Sequence, residues 1–219
     1  VQNNKLFLAK FKKILEKRQQ SDSSIEKIVD KIVYDVKTNS DKALLSYTKK
    51  FDNFNVNNFK EIVVTKNEIK NSTKKIEKKV VKALERAIVR IKNYHKRQIP
   101  KNDIFKDEHG ITLGGIWNPI ESVCLYVPGG TAVYPSSLIM NAVPAIVAGV
   151  KRIVISVPAV NGKLNPLILA CANLLGIDEI YKVGGAQAIA AMAYGTKKIK
   201  KVDKIVGPGN AYVATAKKK

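Results

Sequence analysis

Three polar side chains with the chemistry of ligand binding stand at glycine-rich corners of the sequence: Tyr126, Gln187 and Asn210. A tyrosine offers a ring for stacking and a hydroxyl for hydrogen bonding. Each amide supplies donors and an acceptor, which suits ribose hydroxyls or an amide-bearing ring. Two other interpretations stay open, since Tyr126 can be a core aromatic at a strand end and Asn210 a plain helix N-cap. The corners are 127–130, 183–187 and 206–210.

Each corner follows an apolar run rich in Val and Ile and leads into a helix-like segment. Strands alternating with helices indicate a parallel sheet and an α/β fold. Nucleotides and phosphates bind at the carboxyl edge of such a sheet. We therefore predict that the three side chains meet at that edge. The predicted strands are 122–127, 152–157, 179–183 and 203–206, and the predicted helices lie near 136–149, 165–175, 186–195 and 210–219.

The first half of the chain is predicted to be mainly helical. Apolar residues recur at helical spacing, and helix-capping patterns begin at Ser23 and Thr65. A hairpin over 105–120 follows the longest helix, which is predicted at 75–98. We predict two domains: 1–113, an incomplete helical part of a first large domain, and 114–219, a C-terminally truncated Rossmann-like domain.

The residues that could perform catalysis are few. Cys124 and Cys171 lie in apolar runs, which favours buried thiols in a reducing compartment, although Cys124 near the first corner is an alternative nucleophile. His95 borders a helix stripe and His109 lies in a turn. The sequence therefore predicts no general base and no metal site within these 219 residues.

The formal net charge of +21 raises nucleic acid as a partner. Only five of the 39 basic residues are Arg, whereas base and phosphate recognition favours Arg, so we interpret the lysines as a solvated surface. No apolar run reaches the roughly 18 residues of a membrane span, and no signal peptide is recognisable. Because the chain starts with Val and ends in a lysine run, we expect both ends to be cut.

Five segments in this order resemble the histidinol dehydrogenase family. The resemblance spans 122–219 firmly and the helices before it more loosely, and it concerns the N-terminal half of that family. The segments are LYVPGG at 125–130, YPSS at 134–137, MNAVPA at 140–145, VGGAQAIA at 183–190 and IVGPGNAYV at 205–213.

The resemblance implies a cytoplasmic, zinc-dependent enzyme that oxidises L-histidinol to L-histidine through the aldehyde with NAD. It implies an aldehyde-dehydrogenase-like fold with incomplete Rossmann-like domains, a homodimer, and no nucleic-acid or membrane partner. Tyr126, Gln187 and Asn210 match the family's NAD contacts, and Ser136 lies where a hydroxyl could approach substrate. The catalytic Glu-His pair and the zinc ligands belong to the family's second half, so this chain by itself is expected to be inactive. A nucleotide-binding fragment without catalysis and a lysine-rich nucleic-acid binder are the alternatives.

Overall fold

The computed structural model describes residues 5–129 and 134–219, without the side chains of residues 5, 6, 9 and 13–22. Gly130, the last residue of the first predicted corner, lies outside the described residues. The helices are α1 Lys5–Phe51, α2 Lys66–Ser72, α3 Lys78–Lys96, α4 Pro135–Ala148, α5 Pro166–Leu175, α6 Gly185–Tyr194 and α7 Ala211–Ala216. The strands are β1 Asp103–Lys106, β2 Thr112–Gly115, β3 Ser122–Tyr126, β4 Arg152–Ser156, β5 Glu179–Tyr181 and β6 Lys204–Val206.

The second half of the chain forms a parallel sheet of four strands in the order β5-β4-β3-β6. β3 pairs with β4 from Ser122 opposite Arg152 to Tyr126 opposite Ser156. Every residue of β3 is buried, as expected for a central parallel strand that is covered on both faces. The predicted α/β fold with a parallel sheet and helices is therefore confirmed.

The two faces of the sheet are covered by different helices. Val123 and Leu125 pack with α4 and α5, and half-buried residues of α3 join that cluster. Cys124 and Tyr126 point to the opposite face and share a cluster with α1, α6 and α7. This alternation along β3 places the Tyr126 ring between the sheet and the N-terminal helix.

The long helix α1 differs from the sequence prediction. A helix was predicted to begin at the capping pattern after Ser23, but α1 runs through this point without a break. Burial of Val29, Ile32 and Val36 against the sheet domain stabilises the helix beyond a local capping preference. The break predicted at 39–41 is confirmed, because Ser40 has φ of 55° inside the helix.

The remaining N-terminal elements follow the prediction closely. Thr65 and Glu68 form the predicted capping box, with the Glu68 N–H donating to Thr65 Oγ1 at 3.2 Å and the Thr65 N–H to Glu68 Oε2 at 2.8 Å. The predicted strand at 62–64 is reduced to one antiparallel bridge between Val63 and Tyr181. The hairpin β1–β2 turns at 107–110, and the predicted domain boundary at 113/114 falls inside β2. That division into domains stays a prediction.

Candidate functional site

A cavity of about 800 Å³ lies at the carboxyl edge of the sheet, where α1 faces the strand–helix corners. Tyr126, Gln187 and Asn210 all line it, so the structure brings the three predicted residues together. They come from β3, α6 and the residue before α7. The other lining residues are Ile28, Lys31, Ile32, Tyr47, Lys50, Phe51, Asp52, Pro128, Gly129, Pro158, Val160, Gly185, Ala186, Gly209 and Tyr212.

Tyr126 lies at the carboxyl end of β3 with only 5% of its surface exposed. Its hydroxyl oxygen accepts a hydrogen bond at 3.0 Å from the N–H of Gly185, the first residue of α6. Burial raises the pKa of the Tyr126 hydroxyl, and this hydrogen bond opposes the rise. The side chain thus joins two corners of the sheet edge and presents a neutral ring to the cavity.

Gln187 stands in the first turn of α6 and is 1% exposed. Neither its Nε2 nor its Oε1 has a hydrogen-bond partner among the described residues. Buried amides are almost always hydrogen-bonded, and one without a partner destabilises the fold. Gln187 thus lines the cavity with one donor group and one acceptor that no described residue pairs with.

Asn210 caps α7, because its Oδ1 accepts a hydrogen bond from the Val213 N–H at 3.1 Å. The N-cap interpretation is correct, and the cap uses only Oδ1 of this exposed residue at the cavity. The corner before it needs glycine: Gly207 has φ of 112°, and a Cβ there would lie 2.1 Å from the carbonyl oxygen of Tyr126. The β6–α7 corner can pass β3 only without a side chain at this position.

Several other candidates lie away from this chemistry. Burial raises the pKa of the Cys124 thiol to about 12, so the thiol stays protonated and the nucleophile alternative is wrong. Ser136 is exposed in the first turn of α4 and does not line the cavity. His95 Nδ1 lies 2.6 Å from Gln98 Oε1 at the end of α3.

Sequence reasoning missed the contribution of α1 to the cavity. Lys31 and Lys50 are exposed on this helix, and Asp52 follows its last residue. Asp52 is 9% exposed, and its Oδ2 has no hydrogen-bond partner among the described residues. No local motif marks these positions. They join the site only because a segment more than 70 residues earlier in the chain than Tyr126 packs over the sheet edge.

The described side chains of this chain provide no set of metal ligands. Within 5–129 and 134–219, no three His, Cys, Asp or Glu side chains group closely enough to hold a metal ion. The described residues therefore do not fit a zinc site. None of the described helices is both long and apolar enough to cross a membrane.

A parallel sheet with glycine corners and a large cavity at its carboxyl edge places the chain among the α/β proteins, whose ligands bind at this edge of the sheet. Comparison with known proteins identifies the family. The sequence profile of the histidinol dehydrogenase family matches residues 15–219. The chain therefore belongs to the histidinol dehydrogenase family.

Two curated relatives show how much of the family's length is present. Histidinol dehydrogenase of Agrobacterium fabrum is 49% identical over 212 residues, which cover 97% of this chain and 49% of that protein. The Brucella abortus protein is 50% identical over the same coverage. The crystal structure of histidinol dehydrogenase from Elizabethkingia anophelis aligns with a TM-score of 0.83 at 39% identity, over 89% of this chain and 44% of that one. The chain thus spans about half the length of the relatives it matches.

Proposed function

We propose that this chain is the NAD-binding part of a histidinol dehydrogenase, which oxidises L-histidinol to L-histidine through histidinal. The observation that supports this most is the meeting of Tyr126, Gln187 and Asn210 in one cavity, where no other described residue bonds the Gln187 amide. When bound, NAD accepts the hydride removed from the substrate.

The residues of this chain bind and orient the cofactor in this proposal. The Gln187 amide donates to and accepts from the ligand, and Asn210 donates from Nδ2 while Oδ1 caps α7. The Tyr126 ring supplies a buried aromatic wall, fixed by its bond to the Gly185 N–H. Lys31 and Lys50 supply positive charge at the cavity for the diphosphate.

The complete enzyme requires groups that these residues do not supply. We infer that the zinc ligands and the catalytic Glu-His pair come from the family's second half. Residues 1–113 would then belong to a first large domain that other chain segments complete, and 114–219 to the Rossmann-like domain of an aldehyde-dehydrogenase-like fold. The working enzyme would be a cytoplasmic homodimer that binds L-histidinol and neither nucleic acid nor membrane.

Replacement of Asn210 by Asp tests the cofactor assignment. An aspartate keeps the helix cap but removes the amide donor, so NAD binding should weaken by about 1–3 kcal/mol. Asn165→Asp is the matched control, because Asn165 caps α5 in the same way through the Leu167 N–H and does not line the cavity. Isothermal titration with NAD measures both variants. Equal affinities in Asn210→Asp and the control would refute the assigned role.

Formation of NADH from histidinol with zinc present tests the wider proposal. The 219-residue chain alone should show no turnover, since its cavity contains no histidine and only one carboxyl group among the described lining residues. Addition of the C-terminal half of the Agrobacterium fabrum protein should restore activity. Turnover by the chain alone would contradict the proposed division of the enzyme.

A further inference from the structure

Asp52 is held in place by its backbone, and one oxygen of its carboxyl group, Oδ2, has no hydrogen-bond partner among the described residues. The Asp52 N–H donates to the Thr48 carbonyl at 3.0 Å, and the Asp52 carbonyl accepts from the Asn161 N–H at 3.0 Å. These bonds fix the residue between α1 and the turn that follows β4. The residue is 9% exposed and lines the cavity, and Oδ2 has no hydrogen-bond partner among the described residues.

A buried carboxylate oxygen without a hydrogen-bond donor destabilises the free protein. Burial raises the pKa of Asp52 to about 6, which shows that removal from water opposes its charge. The group is nevertheless mostly ionised at neutral pH, because a pKa of about 6 is still below 7. A ligand that donates a hydrogen bond to such a buried anion reduces the free-energy cost of its burial.

The charged and titratable groups around Asp52 show what kind of ligand group it would accept. The cavity is lined by Lys31, Lys50 and Tyr47 from α1, by Tyr126 from β3 and by Tyr212 from α7. Among the described lining residues, Asp52 is the only carboxyl group, and none is a histidine.

Asp52 and Tyr126 line the same cavity. Burial is the largest cause of the raised pKa of Tyr126, and the hydrogen bond from Gly185 opposes it. The negative charge of Asp52 adds a smaller rise. Asp52 thus shares its cavity with a predicted cofactor residue and contributes to the electrostatics of that residue's hydroxyl.

We propose that Asp52 is a further ligand-binding residue, whose carboxylate accepts hydrogen bonds from ribose hydroxyl groups of the bound NAD. This inference rests on the NAD-binding function proposed above. A carboxylate only accepts hydrogen bonds and repels phosphate, so it matches the neutral, donor-bearing sugar of a dinucleotide. The two cavity lysines match the diphosphate instead.

Isothermal titration of the 219-residue chain with NAD at pH 7.5 and pH 5.0 tests this role. Asp52→Asn should weaken binding about tenfold at pH 7.5, since a hydrogen bond to a charged acceptor is replaced by a neutral one. Asp178→Asn is the matched control, because Asp178 is a surface carboxylate with a side chain 59% exposed. The control should bind like the wild type.

The pH dependence supplies a second readout. Protonation of Asp52 neutralises the acceptor and should weaken binding as Asp52→Asn does, so with a pKa of about 6 the wild-type affinity should fall about fivefold from pH 7.5 to pH 5.0. Asp178→Asn should show the same fall, and Asp52→Asn should not. Thermal unfolding verifies that each variant is folded.

The possible failures are distinct. If the wild type and Asp178→Asn bind NAD, and Asp52→Asn binds NAD as tightly as the wild type at pH 7.5, the role of Asp52 is refuted and the NAD-binding function stands. If the folded wild type binds no NAD at either pH, the NAD-binding function itself fails and this inference fails with it.

Discussion

Gln187→Met removes a buried amide that has no partner and keeps a side chain of similar length. Each unsatisfied buried polar group costs roughly 1–3 kcal/mol, and both amide atoms of Gln187 are unsatisfied among the described residues. The variant should therefore raise the free energy of unfolding of the NAD-free chain by about 1–3 kcal/mol. The same change should weaken NAD binding by about 1–3 kcal/mol, which is roughly 5- to 150-fold.

Thermal unfolding and isothermal titration measure the two effects of Gln187→Met separately. For a chain of this size, 1 kcal/mol corresponds to about 2–4 °C in Tm. Gln98→Met is the control, because Gln98 is exposed and its change should move neither quantity. A lower Tm together with unchanged NAD affinity would refute the reasoning, since Gln187 would then be a structural residue.

Three further predictions concern stability, each checked by urea unfolding. Asp52→Asn should stabilise the fold by about 1–2 kcal/mol at pH 7.5, because burial raises the Asp52 pKa from 3.8 to about 6 and the cavity side screens part of the effect. In the wild type, the stability associated with this raised pKa is present below pH 3.8 and lost as pH rises through about 6. The stabilisation by Asp52→Asn should therefore vanish toward pH 4, and the same stabilisation at pH 4 and pH 7.5 would contradict this prediction. Gly207→Ala should lower the free energy of unfolding by at least about 3 kcal/mol, because a Cβ would lie 2.1 Å from a main-chain oxygen of β3. Gly176→Ala is the control: with φ of 71° and open space around its Cβ, it should lower that free energy by about 1 kcal/mol. Arg152→Lys should cost about 1–3 kcal/mol, since Arg152 makes two bonds to Glu179 and one each to the carbonyls of residues 200 and 201, and an unchanged midpoint would contradict this.

The sheet and three site residues were predictable because local sequence determines them. Apolar runs that end in glycine predict buried strands followed by helices, and parallel strands bring their carboxyl ends to one edge. The predicted strands agree with β3 to β6 to within two residues at each end. Tyr126, Gln187 and Asn210 stand at those ends, so their meeting in one cavity follows from topology.

The other wall of the cavity was not predictable from local patterns. Asp52 follows α1 and precedes an Asn-rich loop, which by sequence is an ordinary helix end. Its burial depends on the packing of α1 against α6 and α7 and on the backbone bond from Asn161, contacts between distant parts of the chain. The same packing explains why α1 continues through the predicted helix start near Ser23.

A crystal structure of the chain with NAD bound tests the central claim most directly. The account predicts electron density for NAD in the cavity of about 800 Å³, with the Gln187 amide and Asn210 Nδ2 within hydrogen-bond distance of the cofactor and the Tyr126 ring against it. NAD bound at another surface, with Gln187 still unpartnered, would contradict the account.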